Sequence, residues 1–146
     1  MTRLRSERGF TLIELLAVLV ILGIILAIGA LMIQTTVSKA KQDAFISNAY
    51  TMKEAARKYA LYHRIDESPV DQVTYQELLA EGLIEKMQDP FTGELLADNN
   101  GSYVMFSEIE PITICLYAEN YKICGSEDEE APSSFSELSR DSITPN

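Results

Sequence analysis

The sequence predicts an α+β fold, in which a long N-terminal α-helix packs on a small antiparallel β-sheet. The first observation is an apolar run, Leu15 to Ile33, that passes into an amphipathic helical pattern with no Gly or Pro between Ala30 and Glu67. The second is a set of short alternating segments after residue 100, separated by turn residues. The third is the length of 146 residues, which allows one modest domain beyond such a helix.

The apolar run from Leu15 to Ile33 predicts a membrane-spanning helix. It holds 19 residues without a charged side chain, and about 20 such residues in a helix cross the hydrocarbon core of a bilayer. A secretory signal peptide has a shorter hydrophobic region, of roughly 7–15 residues, that ends in a small-residue cleavage site. Here the run passes directly into a helical pattern. We therefore interpret residues 10–33 as a transmembrane helix that remains in the protein.

The charges before this span predict its orientation. The first nine residues carry Arg3, Arg5 and Arg8 against a single acid, Glu7. By the positive-inside rule this stub stays in the cytoplasm, and the rest of the chain is exported. An uncleaved signal anchor with an unrelated function would show the same charge pattern.

Glu14 is an acid at the very start of the apolar segment. A carboxylate at the centre of a span costs roughly 2.5–3.5 kcal/mol on insertion scales, and less towards an end. The aliphatic residues that follow outweigh this cost, so the segment is expected to insert. Glu14 is either a boundary residue that reaches headgroup water or a buried acid that requires a cationic partner.

The stretch around this acid reads Arg8-Gly9-Phe10-Thr11-Leu12-Ile13-Glu14. It resembles the processing site of type IV pilins and the related pseudopilins, and the similarity extends to about Ile33. The resemblance implies that a prepilin peptidase cleaves between Gly9 and Phe10, which makes residues 1–9 a leader peptide, and that the amine of Phe10 is then methylated. It also implies that Glu14 pairs with the Phe10 amine of a neighbouring subunit. An ammonium in a low-dielectric filament core is the partner that a buried carboxylate lacks.

The resemblance further implies a structural role without enzymatic activity. After cleavage the N-terminal helices would bundle into the core of a type IV pilus-like filament, with the heads outside. The implied partners are copies of this chain and other pilins, the prepilin peptidase and methylase, the pilus assembly platform and the membrane. The implied location is a single-pass membrane protein with a cytoplasmic N-terminus, which becomes part of an extracellular or periplasmic filament.

Three other functions remain open at this stage. A pseudopilin of a type II secretion system and a subunit of a DNA-uptake (competence) pilus share the same N-terminal machinery. A membrane-tethered binding domain that never polymerises is an alternative of another class.

Residues 34–65 predict an amphipathic continuation of the helix, so that one helix runs from Phe10 to about Arg64. A coiled-coil dimer competes with this interpretation, but the strict heptad of large apolar residues that it requires is missing. The residue before Pro69 avoids the α region, which ends the helix. The predicted inward stripe is Val37, Ala40, Ala44, Ser47, Thr51, Ala55, Tyr59 and Tyr62.

A globular α/β head is predicted over residues 66–125. Thr74-Tyr75-Gln76-Glu77 fits a capping box, which predicts a short helix from about Tyr75 to Glu81. Gly82 would be its C-terminal cap. The segment Asp89-Pro90-Phe91-Thr92-Gly93 predicts a turn, and a similar Asp-Pro-aromatic turn occurs in major pseudopilins.

Three short segments predict the antiparallel sheet of the head: Tyr103 to Ser107, Ile112 to Tyr117, and Tyr121 to Cys124. The last two would form a hairpin around residues 119–120. The residues expected to face the helix are Ile112, Ile114, Leu116 and Ile123.

The register of this hairpin predicts a disulfide. If Ala118 faces Tyr121, then Cys115 faces Cys124 in a non-hydrogen-bonded pair, where side chains lie closest. The exported side of the membrane is oxidising enough to keep a disulfide. Two buried free thiols are the alternative.

Charge is distributed unevenly along the chain, whose formal net charge is −10. Residues 1–65 hold nine Lys/Arg and four Asp/Glu, a balance of +5, whereas residues 66–146 hold three and eighteen, a balance of −15. Since the C-terminal part has no basic surface, direct nucleic-acid binding is not expected. Residues 126–146 are rich in Gly, Ser, Pro and acids, which predicts a disordered acidic tail.

No catalytic or metal-binding constellation can be singled out. His63 is the only histidine, so neither a His-based triad nor a zinc cluster is expected. Residues 98–102 place oxygens at alternate positions, faintly like a calcium loop. However, Tyr103 stands where the EF-hand glycine belongs, and Ile109 where its bidentate Glu belongs. We predict no metal, no cofactor and no enzymatic activity.

Overall fold

A computed structural model of the chain describes residues 11–63, 70–125 and 131–146. It confirms the predicted α+β class, with a long N-terminal helix and a small antiparallel sheet. The chain divides into two compact units, residues 1–38 and 39–146. The predicted leader, Phe10 and the predicted helix end at residues 64–69 lie outside the described residues.

The helices and strands are α1 (Leu12–His63), β1 (Gln72–Thr74), α2 (Tyr75–Ala80), β2 (Tyr103–Ser107), β3 (Glu110–Tyr117), β4 (Tyr121–Ile123), β5 (Ser133–Ser134), a 3-10 helix (Arg140–Ser142) and β6 (Thr144–Pro145). Within the described residues the strands form one sheet in the order β1-β2-β3-β4-β6, and β5 pairs with β3. All of these pairings are antiparallel.

The first unit consists, over its described residues, of the N-terminal part of α1. The large apolar side chains that the structure describes in this unit are exposed all around the helix, from Val18 at 43 % to Leu12 at 85 %. A helix that is apolar on every side requires an apolar environment. Within this unit, no described part of the chain provides one.

In the second unit, the buried face of α1 differs from the predicted stripe. Ala40, Ala44, Ser47, Thr51 and Tyr62 of that stripe are exposed, as is Val37 in the first unit. Ala55 of the stripe is buried and Tyr59 packs against the core. For the exposed members the prediction was wrong, because two stripes repeat at steps of three and four residues, and side-chain size decides between them. Phe45 and Met52 remove more apolar area from water than Ala and Ser do. The residues that face inward are Phe45, Ala49, Met52, Ala55, Ala56 and Ala60.

The predicted inward-facing residues of β3 and β4 are buried, except for Ile112, which is 44 % exposed. The register shifts between the pairs Met105–Thr113 and Phe106–Pro111, which makes Ile112 an extra residue on the β3 side. Such a bulge interrupts the alternation of faces. Pro111 takes the buried position instead.

The short helix α2 is capped at both ends as the sequence predicts. The Glu77 N–H donates to the Thr74 hydroxyl, and the Glu77 carboxylate accepts from the Thr74 N–H at 2.8 Å, which completes the capping box. Gly82 has φ of +66°, in the left-handed region. That conformation lets the Leu83 N–H reach the Leu78 carbonyl, as in a Schellman motif.

The predicted disorder of residues 126–146 is wrong for residues 131–146. There β5 pairs with β3, β6 pairs with β4, and Phe135 is only 5 % exposed. Phe135, Leu138 and Ile143 are too few to build a core of their own, but they pack against the existing one. Residues 126–130 lie outside the described residues.

Candidate assembly site

Glu14, the residue expected to direct assembly, lies in the first turn of α1. Its backbone N–H donates to the Thr11 carbonyl at 3.0 Å, and its side chain is exposed. A carboxylate in the first turn interacts favourably with the helix dipole. Within the described part of the chain no Lys, Arg or His pairs with it. The expected cleavage and methylation residues, Gly9 and Phe10, are outside that part.

The helix that carries Glu14 has the properties of a membrane span. Among the described residues, α1 is the one helix long and apolar enough to cross a membrane. None of its most apolar stretch is buried in the protein. The apolar surface is therefore available to lipid or to other helices.

In the second unit, the Asp-Pro-Phe turn packs on one flank of α1. The Lys41 ammonium donates to the Phe91 carbonyl at 3.0 Å, and the Asn48 amide donates to the Gln88 carbonyl at 2.9 Å. The Phe45 and Phe91 rings meet edge to face, with centroids 5.5 Å apart. The turn thus fixes this flank of the helix through both polar and aromatic contacts.

The buried carboxylate of Asp89 stabilises that turn through hydrogen bonds to backbone N–H groups. The Asp89 side chain is 2 % exposed, and its carboxylate accepts the N–H of Phe91 at 2.8 Å and that of Glu119 at 3.3 Å. Burial of a carboxylate is costly unless hydrogen bonds compensate it. The Glu119 bond also ties the turn to the β3–β4 hairpin.

The hairpin has the predicted register, and Cys115 and Cys124 form a disulfide. Leu116 pairs with Ile123, and the Ala118 N–H donates to the Tyr121 carbonyl at 2.8 Å. Both cysteines are buried. The alternative of two free thiols does not apply.

The ion pair between Asp43 and Arg140 joins segments that are far apart in the sequence. The Arg140 guanidinium donates two hydrogen bonds of 2.6 Å to the Asp43 carboxylate. These bonds hold the pKa of Asp43 below its ordinary value and raise that of Arg140. Sequence reasoning missed this pair, since nothing local marks either residue.

A family model for the prokaryotic N-terminal methylation motif matches residues 4–30. The chain carries a prepilin motif. The match includes the predicted processing residues Gly9 and Phe10, the acid Glu14 and most of the apolar run. No curated protein and no solved structure shows a significant match to the chain.

The prepilin motif, read with the apolar helix, fits a membrane-anchored protein. It implies processing by a prepilin peptidase and assembly with other pilins. It also points to a structural protein rather than an enzyme.

Two residues outside the prepilin motif, His63 and Asp98, could have suggested catalysis or metal binding. Both contact other side chains of the head. His63 contacts Glu81 at 2.9 Å and stacks on Tyr59. In the segment likened to a calcium loop, Asp98 pairs with Lys86 at 2.7 Å. Among the described residues, no group of three or more His, Cys, Asp or Glu is placed to hold a metal ion.

Proposed function

We propose that the chain is a structural subunit, a pilin, of a type IV pilus-like filament. In this proposal a prepilin peptidase removes residues 1–9, and the amine of Phe10 is methylated. The N-terminal helices then bundle to form the filament core. The observation that carries the proposal is the match of residues 4–30 to the N-terminal methylation motif.

The exposed surface of α1 in the first unit supports this proposal. The apolar side chains described there are exposed within that unit, so they require lipid before assembly and neighbouring helices after it. Contacts that repeat head to tail without closing produce filaments rather than rings. The same surface thus serves as the membrane anchor and as the filament core.

Glu14 gives the bundle its specific contact. An acid within an apolar bundle is unfavourable unless it is paired, and no Lys, Arg or His among the described residues of the same chain forms an ion pair with Glu14. Processing creates a new amine at Phe10, four residues before Glu14. We propose that the Phe10 amine of one subunit pairs with the Glu14 carboxylate of the next.

Substitution of Glu14 tests this proposal. Glu14→Ala leaves the Phe10 ammonium without a partner, and breaking a buried ion pair in this way costs about 3–5 kcal/mol. We expect the variant to insert and be processed normally, but to yield less than about one hundredth of the wild-type filament, since every 1.4 kcal/mol is tenfold. The measurement is the amount of filament sheared from cells, checked by electron microscopy. Normal filaments from Glu14→Ala would contradict the pairing role.

Two further variants act as controls. Glu14→Asp keeps the carboxylate and should retain part of the assembly, which Glu14→Ala loses. Gly9→Leu should block processing and leave the full-length precursor on a gel. A processed Gly9→Leu protein would argue against the peptidase step.

A pseudopilin of a type II secretion system is the second candidate. The feature that favours it is the Asp89-Pro90-Phe91 turn, which is similar to a turn of major pseudopilins and packs on α1 through Phe91. Electron microscopy of sheared cell surfaces separates the two candidates. A pilin gives long surface filaments, whereas a secretion pseudopilus stays short and periplasmic.

A further inference from the structure

A cleft of about 270 Å³ opens on the surface of the second unit, beside the turn that contains Asp89. Most of its lining is apolar, and the carboxylates of Glu94 and Glu119 border it. Both of these acids are exposed, and within the described part of the chain neither forms an ion pair. The apolar lining residues are Leu95, Leu96, Ala97, Tyr117 and Ala118.

Asp89 fixes the backbone that carries these two acids. The Asp89 N–H donates to the Glu94 carbonyl at 2.7 Å, and the Asp89 carboxylate accepts the Glu119 N–H at 3.3 Å. Asp89 is itself buried, and its carboxylate already accepts backbone N–H groups. A cation that enters the cleft therefore meets Glu94 and Glu119, which the fold holds in place before a partner binds.

The size and the lining of this cleft fit a long side chain with a positive end. Small-molecule sites usually measure about 300–1,000 Å³ and enclose most of their ligand, and this cleft is smaller. A lysine lays its aliphatic stem along apolar surface and keeps its ammonium among polar groups. Leu95, which is 64 % exposed, adds an apolar surface beside the cleft that a partner can cover.

Lys58 of α1 lies on a surface that matches the cleft. Its side chain is exposed, and among the described residues it forms no ion pair, not even with Glu54 one turn earlier. Leu61 and Tyr62 follow at three and four positions, so they share its side of the helix, and they are 47 % and 60 % exposed. This surface of Lys58, Leu61 and Tyr62, here called the Lys58 face, combines a cation with two large apolar side chains.

Lys39 is the other exposed lysine of α1 in this unit that forms no ion pair in the described chain. The residues three and four positions after it are Gln42 and Asp43. Both are polar, and Asp43 is an acid like those that border the cleft. Lys39 therefore lacks the apolar neighbours that make Lys58 complementary to the cleft.

The distribution of charge favours a second copy of this chain as the partner of the cleft. Residues 66–146 have a balance of −15, so neighbouring heads repel each other unless cations face them. Residues 34–65 hold six Lys/Arg against two Asp/Glu. Since the cleft and the Lys58 face are different surfaces, each copy can bind one neighbour through its cleft and another through its helix. Such a head-to-tail contact can repeat without closing.

We propose that the cleft of one copy receives the Lys58 side chain of a second copy. The Lys58 ammonium pairs with the carboxylates of Glu94 and Glu119, and the apolar part of the Lys58 face covers Leu95. The contact joins the second units of neighbouring copies, outside the bundle of N-terminal helices. This inference rests on the proposed function, because the two copies are neighbouring subunits of the filament, and it names the surfaces through which their heads meet.

Charge reversal tests the pairing, with the yield of filaments sheared from cells as the measurement. Lys58→Glu and Glu119→Lys each place like charges in the contact, and each should lower the yield at least about tenfold. The double variant restores opposite charges and should yield at least about threefold more filament than either single variant. Lys39→Glu makes the same charge change in the same helix and should stay within about twofold of the wild type. Circular dichroism in detergent checks that each variant keeps the wild-type fold.

The outcomes separate this contact from the proposed function. Absence of filaments from the wild type would overturn both. Wild-type filaments together with normal yields from Lys58→Glu and Glu119→Lys would overturn the contact alone. A double variant that assembles no better than the single variants, or an equal loss from Lys39→Glu, would overturn the contact as well.

A cross-link in assembled filaments tests the contact without a change of charge. Tyr62→Cys and Leu95→Cys in the same chain place one thiol on each surface, and oxidation of sheared filaments with diamide should link subunits into covalent multimers longer than dimers. Ser47→Cys with Leu95→Cys is the matched control, because Ser47 is exposed in the same helix but lies about three turns earlier. Only monomers and dimers from the Tyr62 pair, or multimers from the Ser47 pair instead, would overturn the proposal.

Discussion

At the scale of single residues, the buried hydroxyl of Tyr75 holds the chain that follows α2. The side chain is 1 % exposed, and its oxygen accepts the Met87 N–H at 2.8 Å. Burial raises the pKa of Tyr75, so the hydroxyl stays neutral. Tyr75→Phe removes the acceptor and leaves a buried N–H unsatisfied, which is expected to cost about 1–3 kcal/mol of unfolding free energy.

Urea unfolding of the full chain in detergent measures this cost. Tyr62→Phe is the matched control, because Tyr62 is 60 % exposed and its loss of a hydroxyl should change the free energy by no more than about 0.5 kcal/mol. Equal midpoints for Tyr75→Phe and the wild type would mean that the Met87 bond contributes nothing to stability.

Contacts between residues that are close in the sequence could be predicted. Contacts between residues that are distant in the sequence could not. Thr74 and Glu77 are three positions apart, and their capping box follows from local spacing. Asp43 and Arg140 are 97 positions apart, and their pairing exists only because the C-terminal segment, residues 131–146, returns to α1. Glu14 could be singled out because a charged residue next to a long apolar run is rare, and this signal is visible in the sequence without knowledge of the fold.

At the scale of elements, the buried face of α1 predicts which substitutions in this helix lower the unfolding free energy. Met52 is fully buried, whereas Ser47, a member of the originally predicted stripe, is exposed. Met52→Ala should therefore lower the unfolding free energy of the head by about 2–5 kcal/mol. Ser47→Ala should change it by no more than about 0.5 kcal/mol.

The two variants can be compared by circular dichroism during urea unfolding. The pair is well matched, because the two residues lie in the same helix and neither substitution introduces a helix breaker. A larger loss of unfolding free energy from Ser47→Ala than from Met52→Ala would mean that the stripe containing Ser47 faces inward, and would contradict the core described above.

The elements with strong local signals could be predicted, and the shortest strands could not. α2 is marked by its capping box, and the β3–β4 hairpin by its turn and its cysteine spacing. β1, β5 and β6 have only two or three residues each, too few for any alternation of polar and apolar residues to appear. Their existence depends on partner strands, which local sequence does not specify.

At the scale of the whole molecule, the two units differ in what covers their apolar side chains. Those of residues 39–146 form a core within the unit itself, whereas those of the described residues before 39 are exposed. A protein with this division needs a lipid bilayer or a bundle of like helices for its first unit. The prepilin motif over residues 4–30 implies processing by a prepilin peptidase and assembly with other pilins.

Mass spectrometry of the native protein, purified from membranes or sheared filaments, tests the central claim most directly. The account predicts a chain that begins at an N-methylated Phe10 and lacks residues 1–9, so that the new amine is available to Glu14. A native protein that still carries Arg3, Arg5 and Arg8, with Phe10 unmodified, would contradict it.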